Sequence, residues 1–171
     1  MKSRPDNEGR GEEEKYKKVS AIEWIFNQQE YLPDAFARDF NMYMAKRYPD
    51  DWSEGRADEF VLEEPEILVI YEAWIRSPAQ LHDNERLNEE DDLIVKDKDN
   101  DMGQVEIMAH LKADNGKAFT LQELIFKLQH LMADKELGDH VFLEGMEYEG
   151  HECEGNGLID NPDGIPVFYV C

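Results

Sequence analysis

Basic side chains are scarce in this chain. Eighteen Lys and Arg face forty Asp and Glu, a formal net charge of −22 over 171 residues. After Lys135 there is neither Lys nor Arg, while Glu136, Asp139, Glu144, Glu147, Glu149, Glu152, Glu154, Asp160 and Asp163 follow. Such a field repels phosphate, which argues against direct contact with nucleic acid or an anionic membrane. Cysteine is nearly absent too. Cys153 and Cys171 cannot form the disulfide framework of a small secreted domain. No long apolar run exists, and Ile67 to Tyr71 falls far short of a bilayer span. With no apolar leader core near the N-terminus, the expected compartment is the cytoplasm. The four serines, Ser3, Ser20, Ser53 and Ser77, lie outside any nucleophile-elbow context, and no phosphate-cradling glycine motif occurs.

Apolar residues make up 41% of the chain and aromatics 11%, enough for a core at this length. Residues 1–19 hold six basic and five acidic side chains and read as a flexible charged arm. Residues 20–171 read as one α+β domain.

The expected order is a helical N-terminal half, then a β-α-β-β unit whose small, largely antiparallel sheet packs on one helix. Ser20-Ala-Ile-Glu23 has the form of a capping box, with Ile22, Ile25 and Phe26 as a short stripe that Pro33 ends. Asp34 suits the cap of a second helix, since Phe36, Phe40, Tyr43 and Met44 recur at helical spacing before Tyr48-Pro49. Asp50 to Glu63 reads as a loop with one turn of structure inside it. Pro65 suits the first turn of a third helix, with Ile67, Ile70, Tyr71 and Trp74 on one face. The run Ile67 to Tyr71 also fits a buried strand, but helix is the reading taken. Residues 79–101 are polar and acidic and read as a long loop or a marginal helix. Val105, Ile107, Ala109 and Leu111 then alternate as a strand. Asp114-Asn-Gly116 marks a turn, and Thr120-Leu-Gln-Glu123 is a second capping box. Leu121, Leu124, Ile125, Leu128, Leu131 and Met132 follow as an apolar stripe, with Gly138 expected to end the helix. His140 to Tyr148 and Ile165 to Val170 read as strands.

Metal chemistry has two weak candidates. Asp97, Asp99 and Asp101 resemble the start of a calcium loop, but the glycine comes late and position 12 is Met108 instead of Glu. Glu147, Glu149, His151 and Cys153 alternate, but same-face neighbours on a strand lie nearly 7 Å apart, too far for one ion to gather them all. Acidic surroundings raise a thiol's pKa, which argues against Cys153 as a nucleophile. No cofactor is expected.

The acidic surface therefore carries the functional reading. A charge of −22 exceeds the magnitude of about 2–8 that solubility asks of a small domain. Eleven Lys against seven Arg, with plentiful Leu, Ile and Phe, do not fit a halophile surface. Residues 50–101 alone hold eighteen acidic and five basic side chains. The expectation is a non-enzymatic protein that recognises a basic protein surface, such as a nuclease or another nucleic-acid-binding protein. Inhibitors, immunity-type proteins and nucleic-acid mimics are classes with this property. The residues expected to meet the partner are Asp50, Asp51, Trp52, Glu54, Glu89, Glu90, Asp91, Asp92, Glu147, Glu149, Glu152 and Glu154, with Trp52 and Tyr148 as candidate aromatic anchors or core residues. The alternatives are an accessory subunit whose charge serves solubility, and a metal-binding protein or metal-dependent enzyme.

Overall fold

Ile67, Leu68, Val69 and Ile70 are all buried. A segment that is apolar on both faces suits a central strand covered from two sides. The computed structural model describes residues 11, 14–88, 96–150, 161 and 163–170. In chain order the elements are β1 (Trp24–Ile25), α1 (Pro33–Arg47), β2 (Phe60–Leu62), β3 (Glu66–Ile75), β4 (Glu85–Leu87), β5 (Gly103–Lys112), β6 (Phe119–Thr120), α2 (Leu121–Met132), β7 (Phe142–Leu143), β8 (Met146–Gly150) and β9 (Val167–Val170). Short 3₁₀ turns occupy Val19–Ala21, Glu54–Asp58 and Pro78–Gln80.

The main sheet has the order β4-β5-β3-β9-β8. All neighbours are antiparallel except β3 and β9, which run parallel with Leu68 opposite Val167. β1 pairs with β7 and β2 with β6 as two small antiparallel ribbons. No described helix is long and apolar enough to cross a membrane.

This architecture is α+β, but it corrects the expected arrangement. The N-terminal half is not predominantly helical: the elements described there include one α-helix, α1, and the long strand β3. The helix expected from Pro65 is a strand, because its apolar residues serve both sheet faces and do not form a single helical stripe. The capping box at Ser20 does not form. Ser20 Oγ donates to Lys17 O at 2.8 Å, and Glu23 is drawn to Arg47 and to Tyr48 Oη, 2.6 Å away. Pro33 opens α1 where it was expected to close a helix, and Asp34 falls in the first turn, with Leu32 at the cap. The segment His140 to Tyr148 is two strands, broken at Gly145, whose φ of 141° excludes other residues. A Cβ there would meet Ser20 O at 2.4 Å. α2 ends at Met132, well before Gly138, which instead turns the chain against the Trp74 indole.

α2 forms where expected. Thr120 Oγ1 accepts from Glu123 N–H at 3.2 Å, and the stripe from Leu121 to Met132 is buried against the sheet. Each such side chain contributes about 1.5–3 kcal/mol relative to exposure. The Glu123 carboxylate accepts from Asp114 N–H at 2.7 Å, tying the preceding turn to the helix. α1 packs on the same core through Phe36 and Phe40, whose rings lie 5.4 and 5.6 Å from that of Trp24. Gln129, buried within α2, accepts from Trp24 Nε1 at 3.1 Å and donates to Asn27 O at 2.7 Å and Gln29 O at 3.1 Å. Tyr16 and Val19, counted with the arm on sequence grounds, are buried. Tyr16 Oη also donates to Glu64 at 2.8 Å.

Candidate functional site

The expected partner-binding residues divide by position. Asp50 and Asp51 follow α1, and Glu54 opens the 3₁₀ turn Glu54–Asp58; all three are exposed. Trp52 between them is half-buried. Its ring lies 5.7 Å from Phe40, and its Nε1 donates to Asn41 Oδ1 at 3.2 Å. It therefore fixes the loop to α1. Glu147 and Glu149 are exposed on β8, while Tyr148 turns inward, 4.6 Å from Tyr16 and 5.6 Å from Phe168. Glu89, Glu90, Asp91, Asp92, Glu152, Glu154, His151 and Cys153 lie outside the described residues.

The Asp97 to Asp101 segment is a turn closed on itself. Asp97 Oδ1 accepts from Asp99 N–H at 2.9 Å, and Lys96 Nζ pairs with Asp101 at 3.0 Å. Asp101 takes φ 55°. Among the described residues, no three His, Cys, Asp or Glu side chains converge where a metal ion could sit.

Around the first loop the charge is largely uncompensated. Asp50, Asp51, Glu54, Asp58, Glu59 and Glu63 are all exposed, and among the described residues the cations at the loop are Arg56 and Lys18, whose Nζ donates to Phe60 O at 3.0 Å. Arg56 is itself engaged: it donates to Asp51 O at 2.8 Å, lies over the Trp52 ring and approaches Glu59 at 4.0 Å. The loop backbone is pinned. Trp52 N–H donates to Tyr48 O at 2.9 Å, Ala57 is buried, and Leu121 N–H donates to Glu59 O at 2.9 Å.

A second feature was missed by the sequence reading. A cleft of about 930 Å³ opens beside the β4–β5 edge, with Leu68, Met108 and Ile165 on one flank and Phe126, His130 and Leu131 on the other. At its border lies a buried charged cluster. The Lys135 and Glu85 side chains are 0% exposed, and Lys135 Nζ meets Glu85 Oε2 at 3.0 Å. Lys135 also donates to Leu131 O at 2.7 Å and to Asp134 Oδ1 at 3.0 Å. Glu85 accepts in addition from Tyr71 Oη, and from His82 N–H at 2.7 Å. The ammonium thus has two hydrogen-bond acceptors and the Glu85 charge beside it, and both Glu85 carboxylate oxygens accept a hydrogen bond, as a buried pair requires. Burial, and then the Glu85 charge, push the Tyr71 phenol far above its ordinary value. His82 stacks on His130 with centroids 5.3 Å apart, and its Nε2 lies 3.4 Å from Asp134 without forming an aligned hydrogen bond.

On the other sheet face, His110 Nε2 meets Glu66 Oε2 at 2.7 Å, and Lys112 Nζ is 3.5 Å from Glu66 Oε1. The His110 hydrogen bond, with help from Lys112, holds the Glu66 carboxyl below its ordinary value.

The cluster was hidden in the sequence because Glu85 is one acid among many, and a Lys just past a helix end has the ordinary reading of a dipole partner. Comparison of the chain with protein-family models, curated proteins and solved structures gives no match.

Proposed function

We propose that this is a non-enzymatic, cytoplasmic binding protein that recognises a basic protein surface through its acidic loops, in the manner of an inhibitor, immunity-type protein or nucleic-acid mimic. The observation that carries the reading is the pinned loop from Asp50 to Glu63. Asp50, Asp51, Glu54, Asp58 and Glu63 are exposed and have no ion pair among the described residues. Trp52, Ala57 and the Glu59 carbonyl hold their backbone in place. Charges displayed on a fixed backbone lose less freedom on binding than charges on a mobile tail. Their summed field steers a basic partner to the surface.

The test is a pull-down from the native cell with the full chain, followed by association kinetics on the partner obtained. The expected partner is basic and elutes with moderate salt. Converting Asp50, Asp51, Glu54 and Asp58 together to their amides lowers its association rate by about tenfold or more at low ionic strength. A partner retained at high salt and indifferent to the four amides would overturn this reading.

One observation favours a second reading, an accessory subunit of a larger assembly. Ile25 and Phe142 face each other across β1 and β7 and remain 42% and 56% exposed. A fixed stoichiometric partner that buries this pair and resists salt would support that alternative.

A further inference from the structure

β5 presents its outer edge in a fixed rhythm. Ala113 N–H donates inward to Pro65 O at 2.8 Å, so the even-numbered residues of this strand turn their N–H and C=O groups away from β3. Three of them meet the β4 segment in order. Asn88 N–H donates to Glu106 O at 2.9 Å, and Met108 lies opposite Arg86. His110 donates to Asn84 O at 2.9 Å and accepts from Asn84 Nδ2 at 3.0 Å. In that register the next pair would be Lys112 with His82. His82 has been drawn aside. Its N–H goes to the Glu85 carboxylate and its C=O accepts from Glu85 N–H at 2.9 Å. Beyond Lys112, Asp114 N–H is taken by Glu123. Between Asn84 and the Asp114 turn, Lys112 is left with both backbone groups directed outward, and among the described residues neither has a partner. It lines the cleft of about 930 Å³, a volume within the about 300–1,000 Å³ of ligand pockets.

We propose that this slot binds a short extended peptide segment, which joins β5 as one antiparallel residue pair opposite Lys112 and takes the place His82 vacates. The residue opposite Lys112 shares its sheet face, where Arg86 and Lys112 carry two positive charges and Glu66, held by His110 and Lys112, one negative, and is acidic. Its two neighbours point to the other face, toward Phe126, Leu131 and His130, and are apolar. The segment is short because Asn84 and Glu123 close the edge on either side. The buried Glu85–Lys135 pair keeps the slot open by holding His82 away from it. This site is separate from the acidic loop and does not rest on the function proposed above.

The probe is acetyl-Thr-Val-Glu-Val-Thr-amide, titrated into the ¹⁵N-labelled full chain. Saturable shifts are expected at Lys112, Phe126 and His130, together with slowed hydrogen exchange of the Lys112 amide, which exchanges freely without peptide. N-methylation at the central Glu removes the donor to Lys112 O and weakens binding about tenfold. Lys112→Pro removes the amide and the ammonium together and has at least as large an effect, whereas Lys112→Met keeps the amide and loses less. Because that amide has no internal partner and the Glu66 pair lies at the surface, the melting temperature of either variant stays close to that of the parent. Replacing the central Glu with Lys also weakens binding. Three results would each overturn the proposal: no shift at Lys112 at millimolar peptide, equal binding of the N-methylated peptide, or a Lys112 amide already protected in the free chain.

Discussion

Two groups of acids sit within this fold under opposite rules. Asp50, Asp51, Glu54 and Asp58 are in water without ion pairs among the described residues. Glu85 is buried with Lys135 and has a partner at each oxygen. In water an unpaired carboxylate costs little, and its energy spreads into a field that salt screens. Inside the fold the same group is tolerated only when its charge and hydrogen bonds are satisfied. The exposed set therefore tells about what approaches the molecule, and the buried one about what shapes it.

The sharpest way to break the contrast is Lys135→Met, which leaves the Glu85 carboxylate buried without its counter-charge. Denaturant unfolding is expected to show a loss of about 3–5 kcal/mol. Adding Glu85→Gln in the same chain removes the stranded charge and should recover part of that loss. If the double variant is no more stable than Lys135→Met, the pair is not coupled as its geometry requires.

Next in size is Tyr71→Phe, which removes a hydrogen bond to a charged group and costs about 1.5–3 kcal/mol. It also alters the alkaline limb. The folded state keeps the Tyr71 proton at pH values where the unfolded chain has lost it, so the parent loses stability as pH rises past 10. Tyr48, pushed up to about 12, adds to that loss between pH 10 and about 12. The variant should show a shallower decline above pH 10 in a stability–pH series.

On the exposed side, amides at Asp50, Asp51, Glu54 and Asp58 should each change stability by no more than about 0.5 kcal/mol. Any gain should shrink as salt is added. A larger loss from one of them would mean that the acid holds the loop together.

The smallest effect belongs to Glu66, whose carboxyl lies below its ordinary 4.5. Its contribution is present above pH 4.5 and fades as pH falls through the folded value, because the unfolded chain takes up the proton first. Glu66→Gln should slightly flatten the acid limb, measured as thermal midpoints from pH 6 down to pH 3.

Legibility in the sequence followed the agreement between local signals. At α2 the Thr120 cap and the apolar stripe name the same helix, and it forms. At β3 the signals conflict. Pro65 and the spacing of Ile67, Ile70 and Trp74 suit a helix, while the strand depends on covering Leu68 and Ile70 from the opposite face, a tertiary fact. Ser20 and Glu23 had the letters of a capping box, but partners at Lys17, Arg47 and Tyr48 claimed both side chains. At the proposed sites, Asp50 and Glu54 could be named from charge alone. The Lys112 slot could not, since it is made of backbone groups and of a histidine displaced by a glutamate three residues away.

Gln129 adds a constraint of direction to this fold. Its amide receives the Trp24 indole proton at one end and offers its own protons to the Asn27 and Gln29 carbonyls at the other. Glutamate has nearly the same outline but would turn an acceptor toward those two carbonyls. The position therefore discriminates between two side chains of one shape by the order of their atoms. In this way a single amide on α2 fixes how the chain from Trp24 to Gln29 must lie before α1 can begin.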